Sequence, residues 1–96
     1  MKLVRDKIPE LIRLSGRNPI THKAHEKEFE DALINKLEEE LNEIKEDRNS
    51  EEVADLIEVA YALGKVYGKS EKAINQIRKQ KNIGKGAFNK KIILEK

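Results

Sequence analysis

Between Glu26 and Glu46 the apolar residues Phe29, Leu33, Leu37, Leu41 and Ile44 recur every three or four positions. At about 100° per residue this spacing gathers them into one stripe on a helix, whereas a strand would scatter them over both faces. The stretch is therefore predicted to be one long amphipathic helix. Asp47-Arg48-Asn49-Ser50 follows, a short polar run with two good capping residues, and Val53 to Val66 again has helical character. Two long helices separated by so short a turn must fold back on each other, so an antiparallel hairpin is the expected centre of the fold.

The flanks are smaller. Leu3 to Ser15 reads as a short helix, with Asp6 as a candidate cap, Pro9 accommodated in the first turn and Gly16 as its stop. Pro19 biases Asn18 away from helix, and Pro19 to Ala24 has no helical period, so an extended segment is expected there. Gly64 and Gly68 mark the weakening and the end of the second hairpin helix. Ser70 is placed to cap a further helix through Ala73, Ile74 and Ile77, closing near Gly84 and Gly86, and Phe88 to Leu94 looks like a short strand. With no internal repeat or linker, the expectation is a single all-α domain over 1–96. It is a small helical bundle built on the antiparallel hairpin, with short extended segments near the N- and C-termini.

A chain of 96 residues buries a smaller share of its surface than a longer one, which makes a core shared with a second copy plausible. The absence of cysteine removes disulfides, thiolate zinc sites and cysteine nucleophiles, and leaves oxygen as the ligand chemistry for a metal. No apolar run approaches the roughly 20 residues that cross a bilayer, and Met1 to Asp6 lacks a signal-peptide stretch, so a cytoplasmic protein is expected. Charged residues make up 40% of the chain while the net charge is only +2, so bulk charge gives no argument for nucleic acid. Abundant Lys, Glu and Ile, with no Cys and a single Met, fit a thermophilic source.

Acids interrupt the apolar pattern at particular places. With Glu40 taken as zero, Phe29 lies about 20° to one side and Leu33 about 20° to the other, so Glu40 falls inside the apolar stripe. Glu43 sits about 60° around, on the stripe's edge, beside Lys36 at about 40°. On the second helix Val53 to Ala60 is apolar nearly all round, which implies burial on most sides, and Asp55 and Glu58 break it. A buried unpaired carboxylate costs on the order of several kcal/mol, so it must be protonated, paired with a cation or bound to a metal. Glu40-x-x-Glu43 on one arm and Glu52-x-x-Asp55 on the other put each pair on one helix face, and facing helices can converge all four on one cation. Oxygen ligands, with His22 and His25 as the only histidines, favour Mg²⁺ or Mn²⁺ over zinc, and Mg²⁺ in turn suggests a phosphate substrate.

Plainer roles are open to the same residues. Glu38-Glu39-Glu40 suits a solvated face, and Glu51-Glu52 suits the dipole of a helix N-terminus. Glu58 suits a supporting acid or an interface ion pair, and the two histidines suit surface or structural roles. Asp55 fits the plainer roles least, because it lies at the limit of the dipole's reach among apolar neighbours.

At this hairpin the sequence resembles the MazG-like all-α nucleoside triphosphate pyrophosphohydrolase superfamily. The signature E-E-x-x-E, then E-x-x-D, is matched by Glu39-Glu40-Leu41-Asn42-Glu43 and Glu52-Val53-Ala54-Asp55. The opening Lys2-Leu3-Val4-Arg5-Asp6-Lys7-Ile8-Pro9-Glu10 looks like that of a subgroup labelled phosphoribosyl-ATP pyrophosphohydrolase-like, or house-cleaning noncanonical NTP pyrophosphatase, so the resemblance spans nearly the whole chain. Two departures accompany it. Relatives carry a basic helix end followed by Arg-Gly-Gly-Phe, for which the nearest match is Lys81-Asn82-Ile83-Gly84-Lys85-Gly86-Ala87-Phe88, and only eight residues separate Glu43 from Glu52.

The resemblance implies hydrolysis of a nucleoside triphosphate, including noncanonical ones, to the monophosphate and pyrophosphate. It implies Mg²⁺, or Mn²⁺, held by Glu40, Glu43, Glu52 and Asp55, with Glu39 or a ligand such as Glu40 taking the proton from water. Lys36 then touches phosphate or balances charge, and Arg5, Lys7, Arg78, Lys81 and Lys85 are candidate phosphate contacts opposite the acids. The apolar face of Leu56, Ile57, Val59, Ala60 and Leu63 exceeds what the rest of the chain can cover, so a symmetric homodimer or higher homo-oligomer is expected, with both copies near each nucleotide. One rival is a true phosphoribosyl-ATP pyrophosphohydrolase of histidine biosynthesis. Another is a non-catalytic helical interaction or nucleic-acid-binding module using Arg78 to Lys91, where Phe88 is the sole aromatic and stacking on single strands is poorly supported.

Overall fold

A computed structural model describes residues 1–96 and consists of α1 (Ile8–Leu14), α2 (Glu26–Asp47), α3 (Ser50–Val66) and α4 (Glu71–Lys85), with no strand. The long helices begin on side-chain caps. His25 is extended, and its ring Nδ1 accepts the Glu28 N–H at 3.3 Å at the start of α2. Asn49 Oδ1 accepts the Glu52 N–H at 3.0 Å at the start of α3, and Ser70 Oγ accepts the Ala73 N–H at 3.1 Å at the start of α4. Each bond satisfies one of the backbone donors that a helix start leaves open. Only Arg48 and Asn49 separate α2 from α3, and Arg48 takes the left-handed conformation (φ 45°, ψ 52°) that turns the chain back.

The hairpin is antiparallel. Tyr67, just past the end of α3, donates its hydroxyl to Glu30 near the start of α2 at 2.8 Å. α4 crosses the end of α3 at close range: Gly64 is buried, and a Cβ there would lie 2.9 Å from Cγ1 of Ile74. Tyr61 donates to Asn75 Oδ1 at 3.0 Å and ties the same two helices together.

Leu33, at 2% exposure, is the one fully enclosed large side chain, and Glu40 and Gly64 are the other buried residues. Leu37, Ile44, Leu56, Val59 and Leu63 are half-buried along the seam between α2 and α3. The apolar face expected on α3 therefore divides in two. Leu56, Val59 and Leu63 face the seam, while Ile57 and Ala60 are exposed and are joined by Val53, with Ile34 and Leu41 exposed on α2. The expectation of burial on most sides from Val53 to Ala60 does not hold within one chain. A two-helix layer covers one face of each helix only.

Two local expectations are corrected. Phe88 to Leu94 forms no strand; Phe88–Lys90 makes a turn and the rest has no regular structure. No second segment offers the ladder partner that a strand's backbone needs. α1 starts at Ile8 rather than near Leu3, and its cap position is Lys7, with no side-chain bond, rather than Asp6. Pro9 in the first turn starts the helix instead. Leu3 to Asp6 is left as a strap outside the helix. With this strap and the C-terminal tail the radius of gyration is 17.0 Å, against about 12.5 Å for a compact chain of this length. No helix is long and apolar enough to cross a membrane.

Candidate metal centre

The turn of the hairpin sets the ends of α2 and α3 side by side and brings acids from both together. One carboxylate oxygen from each of Glu40, Glu52 and Asp55 lies within 4.8 Å of the others, and Glu43, Asp47 and Glu52 form a second such group. Glu52 belongs to both. All four acids singled out by spacing are therefore drawn into one cluster around Glu52, and Asp47 joins them. Asp47 was missed, although its position one turn beyond Glu43 puts it on the same helix face.

The cluster carries more negative charge than its surroundings offset. Lys36 Nζ lies 3.8 Å from Glu40 and 3.3 Å from Glu39, and Arg5 donates to Asp55 Oδ1 at 2.8 Å. Glu43, Asp47 and Glu52 have no ion pair. Desolvation, then repulsion from Glu43, Asp55, Asp47 and Glu40, raises the Glu52 carboxyl above its ordinary range. Hard carboxylate oxygens at close spacing, with Glu40 only 8% exposed and uncompensated charge on Glu52, fit a divalent cation of the Mg²⁺ or Mn²⁺ type.

Glu39 stands outside both groups. Burial pushes its carboxyl up, but the hydrogen bond and charge of Lys36 and those of Lys2, at 3.4 Å, outweigh it and hold the group below the usual range. A proton acceptor held low in this way is a weaker base. Of the basic candidates, Arg5 and Lys36 adjoin the cluster. Lys7 is exposed at the start of α1, Arg78 bonds Asn75 Oδ1 at 3.4 Å, and Lys81 and Lys85 are exposed on α4. None of these four pairs with a cluster acid. Glu58 is exposed without an ion pair. The histidines take structural roles: His25 caps α2, and His22 Nε2 meets Glu28 at 2.9 Å, lowering the Glu28 carboxyl.

A protein of Mycolicibacterium smegmatis, described as an uncharacterized protein, is 50% identical over 44 residues, or 46% of this chain and 45% of that protein. The similarity thus spans less than half of either. No protein-family model and no solved structure matches the chain.

Proposed function

We propose that the chain is a Mg²⁺-dependent nucleoside triphosphate pyrophosphohydrolase, releasing a nucleoside monophosphate and pyrophosphate. The observation that carries this reading is the convergence of Glu40, Glu52 and Asp55 from two helices within 4.8 Å, with Glu43 and Asp47 alongside. These acids would hold the cation, which when bound offsets charge on the phosphate oxygens and favours attack by water at phosphorus. Lys36 and Arg5 supply positive charge at the same place and suit the contact with phosphate. Water adds to the α-phosphorus, the bond to the bridging oxygen breaks, pyrophosphate leaves, and a carboxylate takes the proton. The candidates for that last role are Glu39 and the cluster carboxylates.

The exposed Val53, Ile57 and Ala60 on α3, together with the exposed Ile34 and Leu41 on α2, support assembly as a homodimer, since burying them removes apolar surface from water. Elution as a monomer at micromolar concentration would contradict assembly. The activity is tested by pyrophosphate release from ordinary and oxidised nucleoside triphosphates, with phosphoribosyl-ATP beside them to separate the histidine-pathway rival. Asp55→Asn removes a ligand charge with little change of shape, so it should fold and elute as wild type yet lose roughly 100-fold or more of the turnover. Retention of full turnover by the variant would sink the reading.

A further inference from the structure

A cavity of about 610 Å³ lies along the groove between α2 and α3. It starts at the acid cluster, which it shares through Glu40, and the eleven helical steps from Glu40 back to Phe29 give it about 16 Å of helix to run along. Arg5, Lys36 and Glu40 lie toward the acid cluster, Phe29, Leu33, Val59 and Val66 supply an apolar wall, and the exposed Glu58, Lys65 and Glu71 add charged groups to the lining. The strap Leu3 to Asp6 completes the lining. Lys2 ties that strap to Glu39 on α2 and Arg5 ties it to Asp55 on α3, so it bridges the groove on two exposed ion pairs. Such pairs are weak and exchange readily.

A ligand matched to this cavity is anionic at the cluster end and carries a body with apolar faces and polar edges. A nucleoside polyphosphate has that make-up, and the volume lies in the range of small-molecule sites. Arg5 cannot serve two partners at once. A divalent cation on Asp55 repels the guanidinium now 2.8 Å away, while an entering triphosphate attracts it. We propose that the cavity beneath the Leu3–Asp6 strap is the nucleoside subsite, and that Arg5 is its latch, passing from Asp55 to the triphosphate as the nucleotide enters. This rests on the acid cluster being a cation centre.

Calorimetric titration separates the two ideas, using Mn²⁺ alone, magnesium tripolyphosphate, and magnesium complexes of α,β-methylene analogues of purine and pyrimidine nucleoside triphosphates. In wild type at least one analogue should bind about tenfold tighter than tripolyphosphate, because only the analogue fills the cavity. Val4→Trp, which occupies the space from the strap side, should reduce that preference to about twofold or less while leaving Mn²⁺ affinity within about twofold. Arg5→Ala, at an exposed position tolerant of change, should move the two ligands in opposite directions. Mn²⁺ alone should bind about threefold tighter, and the nucleotide analogue about tenfold more weakly. A wild type that prefers no analogue to tripolyphosphate, a preference that survives in a folded Val4→Trp, or an Arg5→Ala that moves both ligands the same way would overturn the proposal while leaving the cation centre intact. A wild type that binds no Mn²⁺ would overturn the centre itself.

Discussion

At the open end of the hairpin Leu33 is enclosed, Gly64 lets α4 close in on α3, and the Tyr61 and Tyr67 hydroxyls each reach a partner. At the turn end Glu40, Glu43, Asp47, Glu52 and Asp55 crowd together with only Lys36 and Arg5 as counter-ions. The same two helices thus hold an apolar, hydrogen-bonded half, with the cavity along one side, and a half under electrostatic strain. Apolar burial and good hydrogen bonds at one end offset repulsion at the other, and the repulsion makes the turn end receptive to a cation.

The largest effect that tests this division is at the open end. Leu33→Ala should lower unfolding free energy by about 2–5 kcal/mol, read from the denaturation midpoint, since it empties the one fully enclosed site. A loss under about 1 kcal/mol would mean that the packing lies elsewhere.

Gly64→Ala comes next. Alanine favours helix by up to about 1 kcal/mol, but its Cβ would meet Ile74 Cγ1 at 2.9 Å, and overpacking costs about 1–3 kcal/mol. The expected net is a destabilisation of about 1 kcal/mol, relieved when Ile74→Ala is added. A stabilised single variant would show that α4 yields freely and that the open end is looser than its contacts imply.

The smallest effect is at the turn end, and its sign should be opposite. Glu52→Gln removes one of the crowded charges, so without divalent cation its melting temperature should equal or slightly exceed that of wild type. Because the fold raises the Glu52 carboxyl, this group's contribution to stability falls as pH rises from the ordinary carboxylate range through the raised value. Added Mn²⁺ reverses the trend: its stabilising effect on wild type should be full near pH 7, fade below about pH 5 as protons compete, and shrink in Glu52→Gln. Glu28 and Glu39, held low by their cationic partners, act the other way. Their contribution is present above the ordinary carboxylate range and is lost as pH falls through their lowered values, in both proteins. A Glu52→Gln protein clearly less stable than wild type in cation-free buffer would contradict the strained turn end.

Much of the hairpin was legible because its signals are local. The period of Phe29, Leu33, Leu37, Leu41 and Ile44 set α2 to within a residue, Asn49 and Ser70 capped the helices they precede, and Glu40 proved buried as its place in the stripe required. Phe88 to Leu94 misled for the converse reason: β-prone residues promise a strand only where another segment pairs with them. Ile57 and Ala60 are exposed, as expected of an apolar face larger than one chain covers, whereas the burial on most sides read from Val53 to Ala60 is not met within the chain, because apolar character on a helix records a demand for cover and not its source.

The chain's order of residues was enough to dictate two amphipathic helices, a short polar reversal within Asp47 to Ser50 and acids from both arms near that reversal, since helical period and capping act within a few positions. Only the folded arrangement decided that Arg5 meets Asp55 fifty residues away, that Lys2 meets Glu39, and that the strap between them roofs a cavity leading to the acids. Those contacts depend on the path of an irregular segment across two packed helices. No local preference encodes such a path, because it is settled by the charges and the space that the helices present once they have come together.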